Sequence, residues 1–224
     1  MRGWVIPPEK NSEFVANMER VLDVYKRPYN PKYPVVCMDE SPKQLIAEGR
    51  PKQKMRPGQE TRVDYEYIRH GMVNVFMANE PLLGNRITQI TEHKTMKEWA
   101  HFIKMIAGYY SAAEKITLIM DNFKTHVAAA FYDTFEPKEA KRLWDRFEFI
   151  YTPKHGSWLN MAEIELHVLN GQCLNRHIST MAEVEEEVKA WQEARNNKKS
   201  KINWQFTTKD ARIKLKRLYP SLHD

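Results

Sequence analysis

The chain has 224 residues, 42% of them hydrophobic, enough to bury a sizeable core as one domain with appendages. Its two cysteines, Cys37 and Cys173, stand in no metal-type spacing and exclude a disulfide framework, so both read as buried thiols of a reducing compartment. No apolar run reaches membrane-spanning length, no signal peptide opens the chain, and a net charge of +6 favours an anionic partner, nucleic acid first. A soluble cytoplasmic protein without a membrane partner is therefore expected.

In chain order, Pro7 and Pro8 precede a helix with Phe14, Val15, Met18, Val21, Leu22 and Tyr25 on one face, which is expected to pack on the core. Pro28, Pro31 and Pro34 stop it. The apolar run Tyr33 to Asp39 then predicts a strand buried on both faces and ending on an aspartate. Between residues 41 and 62, the cations Lys43, Arg50, Lys52, Lys54, Arg56 and Arg62 face only Glu48 and Glu60. With Pro51, Pro57 and Gly58 this predicts a loop, either a phosphate-contacting arm or a solvated excursion. Strands follow at Val63–Tyr67 and Val73–Met77, joined around His70-Gly71, and at Asn85–Thr91, as an antiparallel meander.

Thr95 starts a helix with Trp99, Phe102, Ile103, Ile106 and Tyr110 on one side, and Ile116 to Asp121 is a second apolar strand ending on an aspartate. A helix from about His126 to Thr134 and a strand from Arg146 to Tyr151 come next. Pro153, Gly156 and Ser157 make a loop, and a helix begins at about Leu159. Leu159, Ala162, Leu166 and Leu169 form its apolar stripe, while Asn160, Glu163, His167 and Asn170 form a polar one. That polar stripe is either solvated or part of a site. Beyond it, Thr180–Arg195 is amphipathic, with Met181, Val184, Val188 and Trp191 inward. Thr207 to Asp210 caps a basic helix with Lys209, Arg212, Lys214, Lys216 and Arg217, which lies along a DNA backbone or is plain surface.

Carboxylates at the ends of two buried strands and on a helix can gather at a sheet rim, and such hard oxygen donors suit divalent cations. Here three motifs carry a resemblance. Val36-Cys37-Met38-Asp39-Glu40, then Asp121-Asn122 with His126, then Ser157-Trp158-Leu159-Asn160 with Glu163, resemble the signatures of DDE transposases. More narrowly they resemble bacterial insertion-sequence enzymes related to the mariner group. The spacing of 42 from Asp121 to Glu163 is somewhat longer than the mariner pattern, and Met161 stands where many relatives carry proline. The alternation of strands and helices argues α/β on its own. The resemblance implies a ribonuclease-H-like fold, with a mixed five-stranded sheet flanked by helices. It divides the chain into an N-terminal helix and linker (1–32), a catalytic domain (33–176) and a C-terminal helical extension packed on the core (177–224). Relatives carry a helix-turn-helix module upstream, for which residues 1–32 leave no room.

The same resemblance implies cut-and-paste transposition, with Asp39, Asp121 and Glu163 as catalytic residues and ligands of two divalent cations, Mg²⁺ or Mn²⁺. Asn122, His126, Asn160 and His167 are expected to orient those acids or touch phosphate. Lys43, Arg50, Lys52, Lys54, Arg56, Arg62, Lys154 and His155 are the expected DNA contacts. The partners implied are transposon-end and target DNA and a second copy of the chain, in a bacterial, nucleoid-associated setting. Two alternatives stay open: a ribonuclease-H-like nuclease of other specificity, and a truncated, non-catalytic DNA-binding or dimerising regulator. Glu165 lies about 200° round the helix from Glu163 and is expected to hold no metal.

Overall fold

The computed structural model describes residues 11–49, 66–122 and 126–220. Its centre is a sheet of order β3-β2-β1-β4-β5, formed by β1 (Val35–Glu48), β2 (Tyr67–Glu80), β3 (Asn85–Thr91), β4 (Ile116–Met120) and β5 (Phe147–Tyr151). The pairings of β1 with β2 and of β2 with β3 are antiparallel, whereas those of β1 with β4 and of β4 with β5 are parallel. This is the expected mixed five-stranded sheet. Every residue of β4 is buried, as its apolar run requires of a strand covered on both faces.

Helices cover both faces. Val36, Met38, Leu118 and Met120 point into a core built with Trp99, Phe102, Ile103 and Ile106 of α2 (Met96–Tyr109), Phe131 of α3 (Ala129–Tyr132) and Leu143 of α4 (Pro137–Asp145). The alternate residues, Cys37 and Ile119, meet α1 (Ser12–Tyr25), the start of α5 (Met161–Leu169) and α7 (Thr208–Lys214). The far end of α5 packs with α6 (Met181–Asn197) beneath β2 and β3, through Leu166, Leu169, Val184, Val188 and Trp191. The inward faces expected of the first helix and of the Thr180–Arg195 helix are therefore the buried ones.

Several boundaries differ from expectation. Of the strand expected at Val63–Tyr67, residues 63–65 lie outside the described residues, and β2 runs from Tyr67 through His70-Gly71 to Glu80 without the expected turn. Gln44 pairs with Met72 but Ile46 pairs with Arg69, so β2 carries one extra residue there. Gly71 sits in that bulge at φ +101°, a conformation open to glycine, and the residue read as a turn is a kink within a ladder. The helix expected over His126–Thr134 is the single turn α3, and α4, with Pro137 in its first turn, was not expected at all. The chain enters α5 through a 3₁₀ turn, Ser157–Leu159, so the helix begins at Met161 rather than Leu159. At the C-terminus the basic helix is short: α7 ends at Lys214, and a 3₁₀ turn holds Lys216 and Arg217. Thr207 and Asp210 do form its capping box. Among the described residues no helix is long and apolar enough to cross a membrane.

Candidate active site

Asp39 does not end its strand. Parallel pairing with β4 stops at Cys37, while β1 continues along β2 to Glu48, so Asp39 sits where β1 and β4 part company. The pleat then sorts its neighbours. Asp39 shares the face of Cys37, towards α1 and α5, and Glu40 shares the face of Val36 and Met38, towards α2. Asp121 follows directly on β4, two residues beyond Ile119 of the α5-side cluster. Glu163 lies in the first turn of α5 on that side and is half-buried.

Asp39 feels the charges of the other two acids. Burial raises the pKa of Asp39 to about 7, against a backbone hydrogen bond from Glu40 N–H (2.8 Å) that lowers it, and the charges of Glu40, Asp121 and Glu163 add to the rise. Among the described residues, no three His, Cys, Asp or Glu side chains are arranged to hold a metal ion as they stand. The donor chemistry nonetheless fits a hard divalent cation, since all three groups are carboxylates and a cation between them would relieve the repulsion that Asp39 bears.

His126 is the second signature residue that the fold draws in. Its Nδ1 lies 2.9 Å from Asp121 Oδ1 and 3.1 Å from the Asp121 carbonyl oxygen, and its Nε2 lies 2.9 Å from Glu40 Oε1. Burial would lower its pKa, but hydrogen bonds to the Asp121 and Glu40 carboxylates outweigh that and raise it to about 9. An imidazolium with both N–H groups donating is the state this geometry selects. The Trp99 ring stacks on it, with centroids 5.2 Å apart. Lys94 Nζ lies 3.1 Å from the other oxygen of Glu40. Sequence reasoning missed Glu40 and Lys94. The alternation of a strand was the available signal for Glu40, because consecutive acids on a buried strand must go to opposite faces.

Asn160 acts through the backbone and not on a carboxylate directly. It is buried and caps α5, its side-chain oxygen accepting from Ala162 N–H at 3.1 Å while its Nδ2 donates to the Met38 carbonyl at 2.8 Å. One amide thus fixes both the start of the helix that carries Glu163 and its height on β1 beside Asp39. Tyr25 pins the same junction from α1, donating to the Leu159 carbonyl at 2.6 Å and accepting from Met161 N–H at 3.3 Å.

Asn122 is exposed and lines a groove with Asn17, Thr152 and Lys154, whereas His167 is exposed on the outer side of α5. Lys154 and His155 are exposed in the loop after β5. Lys43 is not a free cation on an arm: its ammonium donates to the carbonyls of Leu174 (2.5 Å) and Arg176 (2.9 Å), and burial lowers its pKa. Arg50, Lys52, Lys54, Arg56 and Arg62 lie outside the described residues.

Glu165 is buried beside the site and turned away from it. Arg86 grips it in a two-pronged pair, Nε to Oε2 at 2.7 Å and Nη2 to Oε1 at 2.8 Å, and Arg195 Nη2 adds a bond of 2.9 Å to Oε1.

The chain matches no curated protein sequence. Among solved structures, the Mos1 mariner paired-end complex with Mn aligns with a TM-score of 0.57 at 16% identity, covering 89% of this chain and 61% of that one. The Mos1 strand transfer complex aligns at 0.58 and 15%, covering 89% and 60%. The mariner Mos1 paired-end complex with Mg aligns at 0.57 and 12%, covering 99% and 67%. This is a likeness of fold, and it makes the sheet and its flanking helices the ribonuclease-H-like arrangement of Mos1, of whose length the chain spans about three-fifths. The sequence profile described as DDE superfamily endonuclease matches residues 34–185, a stretch holding Asp39, Asp121 and Glu163. With more than half of its length under that profile, the chain belongs to the DDE superfamily endonuclease family.

Proposed function

We propose that this chain is the catalytic part of a cut-and-paste DNA transposase, which cleaves DNA at the ends of an element and joins the freed 3′ ends to target DNA. The observation that supports the reading is that Asp39, Asp121 and Glu163 lie on the α1 and α5 side of the sheet, where burial raises the pKa of Asp39 to about 7 and the charges of Glu40, Asp121 and Glu163 add to the rise. Family membership and the Mos1 fold support it. The Mos1 structures are of paired-end and strand transfer complexes with Mn or Mg, which supports DNA and divalent cations as partners here.

Asp39, Asp121 and Glu163 would together hold the divalent cations, Asp39 being shared and Asp121 and Glu163 completing the set. Bound there, Mg²⁺ or Mn²⁺ would activate a water or a 3′ hydroxyl and stabilise the leaving oxygen. The remaining work falls to the protein. His126, clamped by Glu40, holds Asp121 Oδ1 so that the opposite carboxylate oxygen is turned outward. Asn160 and Tyr25 fix the first turn of α5 and hence Glu163. Lys154 and His155 contact the phosphates next to the scissile one. A second copy of the chain acts on the second end of the element.

The test is nicking of a duplex carrying the element's end with Mg²⁺ present. Asp39→Asn and Asp121→Asn should each abolish nicking and leave the circular dichroism spectrum unchanged. Retained cleavage in either variant would remove the assignment. Cleavage of an RNA–DNA hybrid in preference to element ends would make the protein a nuclease of other specificity.

A further inference from the structure

Glu165 poses a question that the triad does not answer. It is a carboxyl group, 1% exposed, two residues from Glu163, and it is held by two arginines rather than one. Arg86 is as deeply buried as Glu165. Removing such groups from water is costly, and well-packed apolar residues of the same volume would serve stability as well or better. What a two-pronged guanidinium–carboxylate pair supplies, and an apolar contact does not, is a fixed direction.

The direction concerned is the roll of α5 about its own axis. Glu163 and Glu165 point about 200° apart. A clamp on Glu165 therefore sets where Glu163 points on the opposite side. The clamp is itself anchored. Arg86 also donates to the Gly84 carbonyl at 2.5 Å and to the Ser200 carbonyl, and its own backbone N–H and C=O are both paired with the Asn196 side chain, at 2.8 and 2.9 Å. Arg195 reaches Glu165 from α6. The edge strand β3, the end of α6 and the segment after it thus bear on one side of the helix, while Asn160 holds its start.

We propose that Arg86 and Arg195, acting through Glu165, are positioning residues that set the rotation of α5 and so the place of Glu163 among the metal-binding acids. This rests on the reading of Asp39, Asp121 and Glu163 as cation ligands. Lysine cannot reproduce the fork of Arg86, so charge alone does not suffice.

Mn²⁺ binding, followed by loss of the free-ion electron paramagnetic resonance signal, tests the inference without relying on catalysis. Arg86→Lys and Glu165→Gln should weaken Mn²⁺ binding about tenfold, as expected when a partner that orients a ligand is lost. Arg195→Met, which removes the more exposed prong, should weaken it less and remains informative if the buried variants fail to fold. Leu143→Ala, on the opposite face of the sheet, should lower the melting temperature and leave Mn²⁺ affinity unchanged. Wild-type affinity in every folded variant would reduce the cluster to a structural role and overturn the inference. Wild type that binds Mn²⁺ but nicks no DNA would overturn the transposase reading alone, and wild type that binds no Mn²⁺ would sink both.

Discussion

Asp39 and His126 both resist their neutral-pH reference states, and both do so in a direction that ties stability to pH. An acid whose folded pKa is about 7 keeps its proton in the folded chain after the unfolded chain, near 4, has lost it. Stability therefore falls as pH rises from about 4 to 7, by up to about 4 kcal/mol for this group. His126, with a folded pKa of about 9, stabilises fully below its unfolded value near 6.5, and that contribution is lost as pH rises through 9. Both slopes have the same sign, so the metal-free protein should melt at progressively lower temperature between pH 4 and pH 9. Asp39→Asn should flatten the lower half of that curve and hold or raise the melting temperature at pH 8. An unchanged slope would mean that Asp39 ionises freely. At the same scale, Glu163→Gln should eliminate metal-dependent nicking, whereas Glu165→Gln should retain most of it at saturating metal. The reverse order would exchange the roles of the two acids.

Elements were legible in the sequence where their signal is local. The run from Ile116 to Met120 and the stripe of α1 needed nothing beyond themselves. The end of β1 could not be read that way, because what changes at Asp39 is the partner and not the strand: β4 stops pairing at Cys37 while β2 continues. Likewise Gly71 is a turn residue by composition and becomes a bulge only because Leu45 stands opposite it. The motifs pointed to Asp39, Asp121 and Glu163 as candidates, whereas the clamp of Glu40 on His126 and that of Arg86 on Glu165 join residues some 80 positions apart, which no periodicity connects. Gly84 shows how much one turn can carry. It has φ +75°, and a Cβ there would lie 2.6 Å from the Lys199 carbonyl carbon, against backbone that cannot swing aside. Gly84→Ala should cost more than about 1 kcal/mol. Thermal melting would show it, and a neutral effect would mean that the segment at Lys199 yields easily.

Taken whole, the molecule is basic, and its described cations lie largely on exposed loops and short helical turns such as Lys209 to Arg217. Binding through phosphates alone is weak, indifferent to sequence and steeply salt-dependent. This chain should accordingly bind an element end and random duplex with similar affinity, each fading as salt rises. A hundredfold preference for the ends in a competition assay would locate sequence readout within these residues.

The parting of β1 from β4 also has a kinetic consequence. Beyond Val73 towards its start, β2 has left β3, so Lys43–Glu48 and Tyr67–Met72 form a ribbon of two strands with no third strand beside it among the described residues. Two strands alone are marginal in water. The ribbon is tied back by Ile46 N–H to the Ile178 carbonyl at 2.8 Å and by the ammonium of Lys43. Cooperative units of this kind open without the rest of the protein. Amide hydrogens of Ala47 and Ile68 should therefore exchange with deuterium long before those of Val36 and Ile119. Exchange at one common rate would mean that ribbon and core unfold as one, and that the acids at their junction are held as rigidly as the sheet itself.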